Sequence, residues 1–263
     1  MRAYLALFGA RFRTVLQYRT AALAGFATQL FWGLIRIMIF DAFYRSTTSP
    51  QPMDLDQVMT YVWLGQCLFA TLPQWLDPET LDSIRSGSVA NEMLRPIKLY
   101  DLWFARNIAS RTAPVVLRAA PMVVLALLFF GMRLPVSVEA ALAFLVAMFA
   151  AILLSASLCT LMATSLLWTV SGEGTMHLIS VSAWIFSGIV IPLPFFPDWF
   201  QPVINILPFR GLMDVPFRIW TGHISPTAAI LHILSVLAWA GAIHALGRWI
   251  LARGVRKLVV QGG

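Results

Sequence analysis

The chain has 263 residues, of which 59% are hydrophobic and 12% charged, and a formal net charge of +7. So apolar a composition lies well outside soluble-domain averages and excludes an ordinary soluble globular protein. In a soluble chain the basic excess would suggest nucleic acid, but here it sits between apolar runs, where topology signals belong, and the expected partner is membrane lipid.

Residues 2–18 place Leu5, Phe8, Phe12, Val15 and Leu16 on one helical face and Arg11, Arg13, Thr14 and Gln17 on the other, which predicts an interfacial helix lying along the membrane. Its apolar part is cut by the Arg11-Phe12-Arg13 triplet, and no small-residue cleavage site precedes the long span, so no cleaved signal peptide is expected. Apolar runs follow at about 20–43, 57–76, 113–131, 137–169, 174–191 and 225–251. A bilayer core of about 30 Å takes roughly 20 apolar residues per helix, so the expected architecture is an all-α membrane protein of six transmembrane helices forming one domain. Counts of five or seven remain open. The 137–169 run exceeds one perpendicular crossing, yet no proline interrupts it, and it reads as one tilted or projecting helix. Cys67 and Cys159 fall inside apolar runs and read as small hydrophobes.

Orientation follows from lysine and arginine alone. With six spans, the N-terminal segment, the 77–112 loop and the C-terminal segment carry thirteen of them, against Arg45, Arg133, Arg210 and Arg218 on the other side. Both termini are therefore expected in the cytoplasm. Arg36 and Arg118 fall within spans. Arg36, the deepest, reads as snorkelling or paired within the bundle, or as a contact for an acidic group on cargo.

The loop is the most charged stretch. Asp77-Pro78 suits a helix entry and Gly87 a stop, and a second short helix around 88–95 ends at Pro96. Two short amphipathic helices suit docking, with Arg85, Glu92 and Arg95 as rim contacts and Met93 and Leu94 as apolar anchors. The plain alternative is a solvated loop whose arginines enforce topology. Within the spans, Tyr61, Gln66 and Cys67 add polarity to the second, and His177, Ser180, Trp184 and Ser187 share one face of the fifth. They are candidate pathway residues, or else interhelical packing and hydrogen-bond partners.

After the fifth run, prolines 192, 194, 197, 202 and 208 interrupt a stretch as apolar as a buried helix, so only short helical pieces fit between them. Two such helices, 197–207 and 211–221, carrying Pro197, Trp199, Phe200, Pro208, Phe209, Phe217 and Trp220, would dip against the bundle and wall off a cavity from outside. Alternatively the aromatics sit at the headgroup belt. No G-x-x-x-x-G-K-[ST] loop, H-E-x-x-H pair or G-x-S-x-G elbow occurs, so neither catalytic nor metal-binding residues are assigned and no cofactor is expected on this chain.

With the six runs and the N-terminal segment, the stretches "IRSGSVANEMLRPI" and "SGIVIPLPFFPDWFQPVINILPFRGLMDVPFRIWTG" make the chain resemble the permease subunit of type-2 ABC exporters. The resemblance rests on Gly87, Leu94, Arg95 and Pro96 in the loop. In the later stretch it rests on Gly188, Pro192, Pro197, Trp199, Pro208, Phe209, Pro216 and Gly222. Many relatives carry an acidic residue where this chain has Val89. The resemblance implies that 77–96 is a coupling helix region seated in a separate ABC ATPase, with Arg85, Ser86, Gly87, Glu92, Met93, Leu94, Arg95 and Pro96 at the contact. It implies outer re-entrant helices at 197–221, a second permease (identical or distinct), and ATP with magnesium acting through the partner. The cargo would be an amphipathic drug, organic cation or lipid-like compound, exported across the cytoplasmic (inner) membrane by alternating access. An ion-coupled carrier without an ATPase, and a non-transporting membrane scaffold, are the rival readings.

Overall fold

The computed structural model describes residues 19–94, 96–168 and 173–254, with a few positions near the start. Most of the helix expected over 2–18 lies outside the described residues, and so does Arg95. Among the described residues all regular structure is helical. In chain order the α-helices are α1 (Arg19–Ser46), α2 (Leu55–Cys67), α3 (Pro78–Arg85), α4 (Val89–Met93), α5 (Leu99–Phe129), α6 (Val138–Leu166), α7 (Glu173–Phe186), α8 (Gln201–Ile206), α9 (Asp214–Trp220) and α10 (Pro226–Gly254).

Four of these, α1, α5, α6 and α10, are long and apolar enough to cross a bilayer. The second and fifth expected spans take a different form. The 57–76 run is a 13-residue helix followed by a single 3-10 turn, Phe69–Thr71, and the 174–191 run is a 14-residue helix. Each rises only about 20 Å at 1.5 Å per residue. Gly188 turns left-handed just after α7, and Pro73 keeps an α-helix from resuming after the 3-10 turn that follows α2.

The third apolar run also departs from expectation, because its helix starts at Leu99 and takes in the last part of the supposed loop. Pro114 and Pro121 lie inside it. The charged residues that looked like loop are helical because they face protein: Trp103, Arg106, Asn107 and Arg111 are all buried.

Helix α6 is central and packs most extensively along α10, then against α5 and α9. Its sequence explains this. Ala147, Ala150, Ala151, Ser155, Ala156, Thr160, Ala163 and Thr164 are buried, and such small side chains let neighbouring backbones approach closely. The hydroxyls turn back on their own helix, as Ser157 Oγ donates to the Leu153 carbonyl at 2.8 Å and Thr160 Oγ1 to Ala156 at 2.7 Å.

The two ends of the bundle differ. At one end, Arg133 pairs with Asp56 and its amide donates to Thr60 Oγ1 at 3.0 Å, while Trp220 Nε1 donates to the Arg133 carbonyl at 2.9 Å. The proline-rich stretch joins this end. It folds as two 3-10 turns, Leu193–Phe195 and Pro208–Leu212, with α8 and α9, so both helices expected there are shorter than 197–207 and 211–221. They also differ in burial: α9 hides Asp214, Val215, Pro216, Phe217 and Ile219, whereas Trp199, Val203 and Ile206 around α8 are exposed. At the opposite end, α3 and α4 lie against the start of α5.

Candidate functional site

Two features of the bundle have the geometry of a site. The first is the pair α3 and α4. Asp77 caps α3, accepting from the Thr80 amide at 3.1 Å and from Ser110 Oγ of α5 at 3.0 Å. Gly87 has φ +73°, the left-handed turn that separates the two helices. Glu92 of α4 points inward. One carboxylate oxygen accepts from Arg106 at 2.6 Å and the other from Trp103 Nε1 at 2.9 Å, and Arg106 reaches Glu79 of α3 at 3.5 Å. A single arginine on α5 thus holds both short helices.

This corrects one expectation. Glu92 is 7% exposed and belongs to the anchor of the elbow, not to its rim. The outward groups are Leu94, 85% exposed, Met93, and Arg85, whose guanidinium is 3.9 Å from Glu173 at the start of α7. Ser86 accepts from the Ser88 amide at 3.4 Å and donates to the Asp82 carbonyl at 2.7 Å, so it shapes the turn. Pro96 follows as the stop before α5. The anchoring residues Asp77, Glu79, Trp103 and Arg106 were missed as site residues in the sequence. Trp103, Arg106, Asn107, Ser110 and Arg111 do recur at three- and four-residue spacing, the signal of one helical face.

The elbow is tied to the bundle centre as well. Arg111, buried on α5, donates to Ser155 Oγ of α6 at 2.9 Å, to the Asn107 carbonyl at 3.1 Å and to the Trp75 carbonyl at 3.0 Å. From α7, Ser180 Oγ lies 3.2 Å from the Pro73 carbonyl and 3.3 Å from that of Gln74. Irregular backbone packed inside the bundle needs such partners, and these two side chains satisfy the segment after α2. Ser180, expected along a pathway, therefore supports a loop.

The second feature is a cavity of about 610 Å³ between α1, the end of α2 and α7. Its walls are mostly apolar and aromatic, with Trp32, Phe40, Phe69, Trp75 and Trp184, and its polar groups are Thr28, Gln29, Arg36 and Gln66. Of the six expected pathway residues, Gln66 and Trp184 line it. The others do not. Tyr61 is buried and donates to Asp214 Oδ1 at 3.1 Å; Ser187 is buried, its carbonyl accepting from the Asp214 amide at 3.0 Å; His177 is exposed. Arg36 sits in the cavity wall and donates to the Ile189 carbonyl just after α7, the partner within the bundle that is one of its expected readings.

The aromatics of the proline-rich stretch do not line this cavity. Phe217 is fully buried against Tyr61, their rings 5.1 Å apart edge to face, and Trp220 packs on Phe144 of α6 at 4.8 Å. Phe200 and Phe209 lie beside Phe186, at 6.1 and 6.4 Å, and the Trp199 ring lies tilted against Phe200 at 5.3 Å while staying 78% exposed. Pro197 is exposed and Pro208 opens the second 3-10 turn. Groups of His, Cys, Asp and Glu able to hold a metal are absent among the described residues.

The family described as ABC-2 family transporter protein has a sequence model that matches residues 30–262. None of the curated proteins matches the chain.

Proposed function

The chain belongs to the ABC-2 transporter family, the multi-pass membrane component of an ABC transport system, and on that premise we propose that it is the permease half of an ATP-driven exporter. Membership implies an ATPase partner, since the permeases of this family carry no cofactor of their own. In the proposed reading the chain crosses the cytoplasmic (inner) membrane six times, with both termini inside. Helices α2 and α7 make the two short crossings, completed by the irregular segments that Arg111, Ser180 and Arg36 satisfy.

The observation that carries the proposal is the clamped elbow. An outward motor can move a membrane helix only through a contact that does not give, and Arg106 joins α3, α4 and α5 into one body through Glu79 and Glu92. Met93 and Leu94 stay exposed as apolar anchors and Arg85 as a charged rim contact, and the sequence offers Arg95 as a second rim contact. Closure of the two ATPases would drive the elbows of two paired permeases together and shift α2 and α7, passing an amphipathic drug, organic cation or lipid-like cargo outward. The proline-rich stretch would form the outer closure.

Purification from native membranes is expected to bring down an ABC ATPase, identified by mass spectrometry and by ATP hydrolysis. The Arg85→Glu, Arg95→Glu double variant should insert normally and lose at least about tenfold of that partner, a cost of about 1.4 kcal/mol in affinity. Retention of the partner by the double variant would overturn the docking assignment.

A further inference from the structure

The 610 Å³ cavity has a chemistry that narrows the cargo class. Its volume suits a drug-sized ligand, and its composition is the usual one of apolar walls with few polar groups. Of the lining residues only Arg36 is charged. It has no carboxylate partner among the described residues, and its one hydrogen bond there is to the Ile189 carbonyl. In the same lining, Gln66 of α2 is 3% exposed, and its amide nitrogen is buried with no hydrogen-bond partner. Buried polar groups are nearly always satisfied, so an orphaned donor in the same cavity lining as a guanidinium without a carboxylate marks a place where an acceptor is missing.

We infer that this cavity binds an amphiphilic anion, its head on Arg36 and the Gln66 amide and its tail against Trp32, Trp75 and Trp184. The inference rests on the transporter reading for the role of that anion as cargo, and it drops the organic cation from the three cargo types. Aromatic faces do attract cations. Here, however, the one charged group in the lining is positive, and Trp32 lies one turn from it on the same helix, so a cation in the cavity would share a low-dielectric wall with a like charge that has no carboxylate partner.

Binding is read on the purified protein without nucleotide, so that it can fail or succeed independently of ATPase docking. A bromoalkyl sulfonate and a bromoalkyl trimethylammonium of equal chain length are titrated against tryptophan fluorescence. The linear quenching that any bilayer-facing tryptophan shows on partition is subtracted. The sulfonate is expected to give saturable quenching with at least about tenfold higher affinity than the cation. Arg36→Gln should erase that preference, and Gln66→Leu should weaken sulfonate binding several-fold while keeping the preference. Equal affinities in the wild type, a tighter cation, or saturable quenching by neither probe would overturn the inference, whatever the variants do. Nanodiscs separate the sources of the anion. Displacement of the sulfonate by phosphatidylglycerol but not phosphatidylcholine assigns the site to a lipid headgroup, and persistence in phosphatidylglycerol assigns it to a free amphiphile; both keep the anionic site.

Discussion

Arg106→Met is expected to lower the stability of the chain by about 3–5 kcal/mol, the cost of leaving one member of a buried ion pair alone. Arg106 and Glu92 have side chains only 5% and 9% exposed, 2.6 Å apart. Without the guanidinium, Glu92 keeps one donor, Trp103 Nε1. Glu92→Gln should be milder, about 1–2 kcal/mol, because glutamine still accepts from Trp103 and Arg106 keeps the half-exposed Glu79 at 3.5 Å. Denaturant titration of both variants in one detergent checks the order, and equal losses would mean that the pair is not the anchor. Replacing both charged partners with apolar residues, Glu92→Leu with Arg106→Met, should regain part of the stability, held back by about 1–3 kcal/mol for the buried Trp103 Nε1 left without an acceptor. In the proposed mechanism the regained fold still couples poorly, because Glu79 on α3 has lost its link to α5. ATP-driven transport that falls further below wild type than the folded fraction of this variant would separate transmission from folding.

That anchor illustrates what sequence could and could not reveal. Membrane insertion, the all-helical class, the two short helices around Gly87 and the uninterrupted α6 are local properties, set by hydropathy, turn chemistry and the absence of proline between 137 and 169. The start of α5 was hidden by charge. Arg106 and Arg111 look like loop residues until their partners Glu92, Ser155 and the Trp75 carbonyl are known, and those lie 14, 44 and 36 positions away. Glu92 was misplaced for the same reason, since an exposed rim carboxylate and a buried anchoring one have identical local sequence. The cavity followed the same rule. Gln66 and Trp184 were legible as polar or aromatic groups on apolar helices, but α1 contributes most of the wall, and nothing local marks Thr28, Gln29 and Trp32 as facing inward.

The second large effect is expected at Gly188. Its φ of +89° lies in the left-handed region, and a Cβ there would fall 2.0 Å from Tyr61 Oη and 3.4 Å from Asp214 Cβ. Gly188→Ala should cost about 1–2 kcal/mol in backbone strain and about 1–3 kcal/mol in overpacking. The hydroxyl cannot simply move aside, because Tyr61 is buried, donates to Asp214 and packs edge to face against Phe217. Asp214 in turn holds Arg218 at 3.3 Å and donates its amide to the Ser187 carbonyl. One glycine thus lets α2, the end of α7 and α9 meet at a single point. Tyr61→Phe alone should cost about 1–2 kcal/mol for the lost hydrogen bond. The double variant should be less destabilised than the sum of the two, by about 0.5–3 kcal/mol, since removing the hydroxyl leaves the ring carbon at 3.3 Å as the nearest obstacle. Strict additivity in a double-mutant cycle would show that Gly188 is needed for its backbone angle alone. Coupling of the predicted sign would show that Gly188, Tyr61 and Asp214 form one packed junction, the place through which the proposed mechanism relays movement of α2 and α7 to the proline-rich end.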